Sequence, residues 1–101
     1  MWRFSVAVDK GKTFKLLCTA THTDIKACAW MTPSGKTYVL WDGADYGKLK
    51  QIGNSKRQCA IAVNNAEDVD NGAWKCQITY IKQNGDGVAV SRSVDVKLSS
   101  P

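Results

Sequence analysis

The sequence predicts an all-β domain folded as a two-sheet antiparallel sandwich, and three observations carry that prediction. Apolar and polar residues alternate at period two in most segments. Turn-forming clusters interrupt the chain at intervals of roughly eight to twelve residues. No stretch keeps a helical period for longer than a turn.

The elements follow in chain order. Phe4, Val6 and Val8 form the first alternating set, and after an Asp9-Lys10-Gly11-Lys12 turn Phe14, Leu16 and Cys18 form the second. Cys28 and Trp30 share one face of a strand that Pro33-Ser34-Gly35 ends, and Tyr38 to Trp41 returns as its hairpin partner before Asp42-Gly43. Tyr46 to Ile52 reads as a weaker, lysine-rich strand. Cys59, Ile61 and Val63 then alternate with Ala60 and Ala62, ahead of Asn64-Asn65 and the acidic Glu67-Asp68. Trp74, Cys76, Ile78 and Tyr80 give another set, Asn84-Gly85-Asp86-Gly87 a tight turn, and Val94, Val96 and Leu98 the last strand. Seven or eight strands result, with no internal repeat, linker or low-complexity segment.

A chain of 101 residues is one domain, 1–101, with a modest core that covalent reinforcement would help. Its net charge of +5, from 14 basic and 9 acidic residues, is too dispersed for a nucleic-acid binder. The densest basic stretch, Lys48 to Arg57, is diluted by Gln51, Ile52, Gly53 and Asn54 and reads as a solvated edge. No apolar run is long enough to insert in a membrane, and Met1-Trp2-Arg3-Phe4 does not open a signal peptide. The expectation is a segment excised from a longer ectodomain, whose leader and any anchor lie outside it.

The cysteines, Cys18, Cys28, Cys59 and Cys76, are even in number and form no Cys-x-x-Cys pair, and His22 is the one histidine. A zinc site and a thioredoxin-like site are both excluded on these grounds. Two disulfides in an oxidising compartment fit best, with three connectivities open; the alternative is four buried thiols in an intracellular chain. Catalytic chemistry lacks its parts: one histidine, one glutamate at Glu67, and no clustered aspartates. Gly85-x-Gly87 sits in a hairpin without the following helix that a phosphate loop needs. The chain is therefore read as a non-enzyme without cofactor or metal, and His22 as a solvent-facing loop residue.

Cys18, Trp30 and Cys76 stand in the order and spacing of an immunoglobulin domain, and Asp70-Asn71-Gly72-Ala73-Trp74-Lys75-Cys76 resembles the family's Asp-x-Gly-x-Tyr-x-Cys signature. Val8-x-x-Gly11-x-x-Phe14-x-Leu16-x-Cys18 is similar to its A′ to B segment, and Cys59-x-Ile61-x-Val63 to its strand E. The resemblance covers nearly the whole chain and implies a V-set or I-set like sandwich, with a likeness to extracellular Ig domains of invertebrates. It also implies a Cys18–Cys76 bridge between the sheets. With Trp30 pointing inward, Cys28 does so too, and Cys59 on the inner face of strand E becomes its partner. Trp74 stands in place of the usual tyrosine; it is expected to pack inward with its N–H bonded locally, without the ordinary tyrosine corner. Asp70 is expected to brace the corner between strands E and F through Lys48, Lys50 or Arg57. Trp30, Asp70, Gly72 and Trp74 are thus the structural signature.

Function must come from surface, since the fold hosts many functions. The resemblance implies a GFCC′ face on which Ala27, Ala29, Met31, Lys75, Gln77, Thr79 and Ile81 point outward, extended by Tyr38 and Trp41. The alternative is that Met31 and Trp41 are packed by the C–C′ turn while Tyr38 covers the sheet edge. Every asparagine fails the Asn-x-Ser/Thr pattern, so neither sheet face carries an N-glycan. Lys48, Lys50, Lys56 and Arg57 form a second, basic surface for an anionic glycan, against the reading that edge lysines only prevent strand pairing. Three functions are expected in order: an extracellular adhesion or receptor module that binds a protein partner, itself included; a soluble pattern-recognition domain for an anionic glycan or microbial surface; and a spacer domain.

Overall fold

The computed structural model describes residues 4–19 and 24–99. His22 lies outside the described residues. Eight strands occur among them: β1 (Phe4–Asp9), β2 (Phe14–Thr19), β3 (Ile25–Met31), β4 (Thr37–Leu40), β5 (Leu49–Ile52), β6 (Gln58–Val63), β7 (Gly72–Ile81) and β8 (Gly87–Ser99). The helical content among the described residues is one 3-10 turn, Asp68–Asp70. A five-stranded sheet, β1-β8-β7-β3-β4, packs on a three-stranded sheet, β2-β6-β5.

Alternation places the core where period two requires it. In β2, Phe14, Leu16 and Cys18 are buried and the residues between them exposed. In β3 a bulge between Ile25 and Ala27 adds one residue, so Ile25 and Cys28, three apart, both face inward. Trp30 is fully buried between the sheets, where its indole N–H donates to the Cys59 carbonyl at 3.0 Å. Cys18–Cys76 and Cys28–Cys59 are both formed. Cys18 and Cys59 are direct cross-strand partners on the smaller sheet, so the two bridges cross the core side by side.

The antiparallel expectation fails at one edge, where β1 runs parallel to β8. The turn after Asp9 leads not to a hairpin partner but across to the other sheet, and β1 and β8 are joined only through the whole domain, so no hairpin dictates their direction. The last strand is also longer than Val94 to Leu98. Val88 and Val90 share the same inward phase but precede exposed Arg92, which breaks the apolar pattern without breaking the strand.

Between β4 and β5 the chain makes no further strand. A pinned loop replaces it: Ala44 is buried, Gly43 N–H bonds the Gln51 side chain at 2.9 Å, and Ser55 N–H donates to Asp42 at 2.8 Å. That amide, helped by the Ser55 hydroxyl, holds the Asp42 carboxyl below the usual carboxylate range.

Candidate functional site

The outward face of β8, β7, β3 and β4 can be assembled from register. The Thr32–Lys36 turn, closed by Thr32 N–H to the Lys36 carbonyl at 2.8 Å, sets Met31 opposite Thr37 and Ala29 opposite Val39. Pairing of β3 with β7 and of β7 with β8 then gives three rows: Thr37, Met31, Lys75 and Ser93; Val39, Ala29, Gln77 and Ser91; and Ala27, Thr79 and Ala89. Ile81 continues the face opposite Gly87. All seven residues placed on it from the C and F segments point outward.

The aromatic extension divides. Tyr38 pairs with Trp30 and so shares its inward side, where it is half-buried, while Val39 takes the outward position at 57% exposure. Tyr38 therefore does not extend the face; it meets the Tyr46 ring edge-on at 4.9 Å. Trp41, beyond the strand end, is 56% exposed and stands 6.0 Å from the same ring. Tyr46 also donates its hydroxyl to the Val39 carbonyl at 2.6 Å, closing an edge position of β4 to a further strand. The sequence reading missed both Val39 and Tyr46. Counting out from Met31 across the turn could have found Val39, but nothing local signals the Tyr46 contact.

At the opposite corner the signature residues act together. The Trp74 indole N–H donates to the Asp70 carbonyl at 2.8 Å, and its ring packs edge-on against Phe14 at 5.8 Å. Trp74 thus packs inward with its N–H bonded locally, as expected, and the indole stands where the ordinary tyrosine corner would be, because a backbone carbonyl needs only a donor and an indole supplies one. The Asp70 carboxylate accepts the Glu67 N–H at 2.9 Å and pairs with Lys48 Nζ at 2.8 Å. Of the three cations proposed for Asp70, Lys48 is the partner. Gly72 has φ +132°, and a Cβ there would stand 3.0 Å from Pro33 Cβ of the turn after β3, which explains the glycine in the signature. Lys48→Met should cost about 1–3 kcal/mol in urea denaturation, since it strands a carboxylate whose side chain is 8% exposed; Asp70→Asn in the same chain should recover part of that loss.

The basic surface is rearranged. Lys48 is taken up by Asp70 and by the Asn65 carbonyl at 2.6 Å, and Arg57 pairs with Asp24 at 3.4 Å. Lys50 and Lys56 remain exposed, and Lys15 joins Lys50 by flanking Ala62 from the other side. A shallow cleft of about 260 Å³ opens beside Tyr38, Lys36 and Ser34, but its buried carboxylate, Asp70, already has its cation. Among the described residues no group of His, Cys, Asp or Glu side chains could hold a metal ion, and no helix is long and apolar enough to cross a membrane.

Solved structures share this architecture. The chain is similar to the Ig1 domain of mouse SynCAM 2, at TM-score 0.76 and 18% identity over 98% of this chain and 93% of that one. It is similar to murine CRIg at TM-score 0.73 and 15% identity, covering 94% and 92%, and to Tim-1 at TM-score 0.71 and 16% identity, covering 99% and 95%. No protein-family sequence model and no curated protein matches it by sequence. The chain is an immunoglobulin-like domain by fold. In the lettering used for that fold β1 to β8 correspond to A′, B, C, C′, D, E, F and G, and the outward face described above corresponds to the GFCC′ face.

Proposed function

We propose that this domain is an extracellular protein-recognition module that binds through the outward face of β8, β7, β3 and β4 and performs no catalysis. One observation carries the reading: the three central rows of this face hold a single formal charge, Lys75, around exposed apolar Met31 and Val39, with Ile81 and Trp41 at the margins and Asp95 one row further along β8. Charge depletion around apolar side chains is the composition of an interface centre rather than of ordinary surface. The two disulfides fit an oxidising compartment, and the structural neighbours, an Ig1 domain of SynCAM 2 among them, support a recognition role.

The test is a tetramerised form of the domain applied to intact cells. Met31→Glu and Val39→Glu should abolish staining while leaving the melting temperature within about 2 °C, because both side chains lie on the exposed face outside the core. Lys50→Glu, on the other sheet, should leave staining unchanged. Staining that survives both face variants, or is lost with Lys50→Glu alone, would transfer the function to the basic surface. A wild-type tetramer that binds nothing would favour a spacer.

A further inference from the structure

We infer that Lys75 sets the chemistry of the partner: it bars a face-to-face pair of identical copies and admits a different protein whose apolar face presents a carboxylate opposite it. This rests on the GFCC′ face being the recognition surface, and it adds what that surface selects.

Lys75 lies on an interior strand, opposite Met31 on one side and Ser93 on the other. The positions around it in the rows are threonine, valine, alanine, glutamine, serine and methionine, with no acid. Its ammonium has no hydrogen bond or ion pair among the described residues. The nearest acid by register, Asp95, sits one row along β8 opposite Ala73; it is half-buried and engaged elsewhere. Lys75 is therefore a cation standing among neutral polar and apolar residues without a counter-charge of its own.

Two identical copies meeting on this patch would form an isologous contact, each burying the same residues. Each Lys75 would then lose water against neutral rows and the other Lys75, and the nearest acid, Asp95 one row along β8, is half-buried and already engaged, so the contact would bury two cations without a free counter-charge. Neutral burial of Met31 and Val39 would have to overcome that desolvation twice. A partner with a carboxylate at the facing position turns the same cation into a charge-assisted hydrogen bond. A single repulsive residue in an otherwise permissive surface is how an interface separates one partner from another.

Sedimentation velocity tests this with a variant of the chain itself as probe. Lys75→Glu places a carboxylate in the same neutral setting, and neither lysine nor glutamate at this exposed, unpaired position should change the melting temperature. Wild type alone and Lys75→Glu alone should sediment as monomers. Their equimolar mixture should associate at least about tenfold more tightly than either alone, and less tightly as salt is raised. Met31→Glu placed in both chains should abolish the mixed species. A wild-type dimer as tight as the mixture, a mixture no tighter than wild type, or a mixed species indifferent to Met31→Glu would each overturn the inference. The recognition reading stands or falls separately, on the staining of cells by the face variants.

Discussion

Replacing Cys28 and Cys59 by alanine should lower stability by about 3 kcal/mol and leave a folded domain, Cys18 and Cys76 slightly more, and all four together about 7 kcal/mol. The bridges close loops with sequence separations of 58 and 31, and the smaller loop lies inside the larger. Once one bridge is formed, the ends of the other are already tethered through the short segments 18–28 and 59–76, so each adds less than it would alone. The loss on removing all four therefore exceeds the sum of the two separate losses. A total near 7 kcal/mol is comparable with the whole stability of a small domain, so the four-fold variant should be unfolded at 37 °C. Calorimetry on the three variants decides the matter. A domain that unfolds when only Cys28 and Cys59 are replaced would show that the inner bridge is required by the core around Trp30 rather than acting on the unfolded chain.

The second large effect belongs to Trp74. Trp74→Ala should cost about 3–5 kcal/mol, because a fully buried indole leaves a void between Phe14 and the corner before β7. The informative comparison is between smaller changes. Trp74→Phe removes the donor to the Asp70 carbonyl, leaving that oxygen without its partner, whereas Trp74→Tyr brings a hydroxyl that can donate in its place. Stability should fall in the order Trp, Tyr, Phe, Ala, with tyrosine above phenylalanine by about 1 kcal/mol despite its greater polarity. Denaturation midpoints at constant m-value report it. Phenylalanine equal to tyrosine would mean that the ring packing alone holds the corner.

Much of this architecture is legible along the chain because it repeats locally. Period-two alternation named the inward residues of β2, β6 and β7, and the cysteine and tryptophan spacing matched a family whose two-sheet frame then implied both bridges. The outward residues of β3 and β7 followed from the same parity. Where reading failed, the signal was not periodic. Aromatic content drew Tyr38 to the recognition face, but the turn length after Met31 puts Tyr38 in phase with Trp30 and gives the outward place to Val39. Arg92 hid the first half of β8, since a charged side chain in an inward phase can turn out to solvent at a sheet edge.

By itself, then, the sequence determined which face of β2, β3, β6 and β7 is buried, where the chain turns and which cysteines lie between the sheets, because backbone geometry converts residue parity directly into direction. Only the tertiary structure decided which long-range partners those side chains take. It gave Asp70 to Lys48 and Arg57 to Asp24, it set Tyr46 across the edge of β4, and it laid β1 parallel to β8. Such choices depend on how two sheets and their loops pack in space, and residues far apart in the chain carry no local pattern that records their distance.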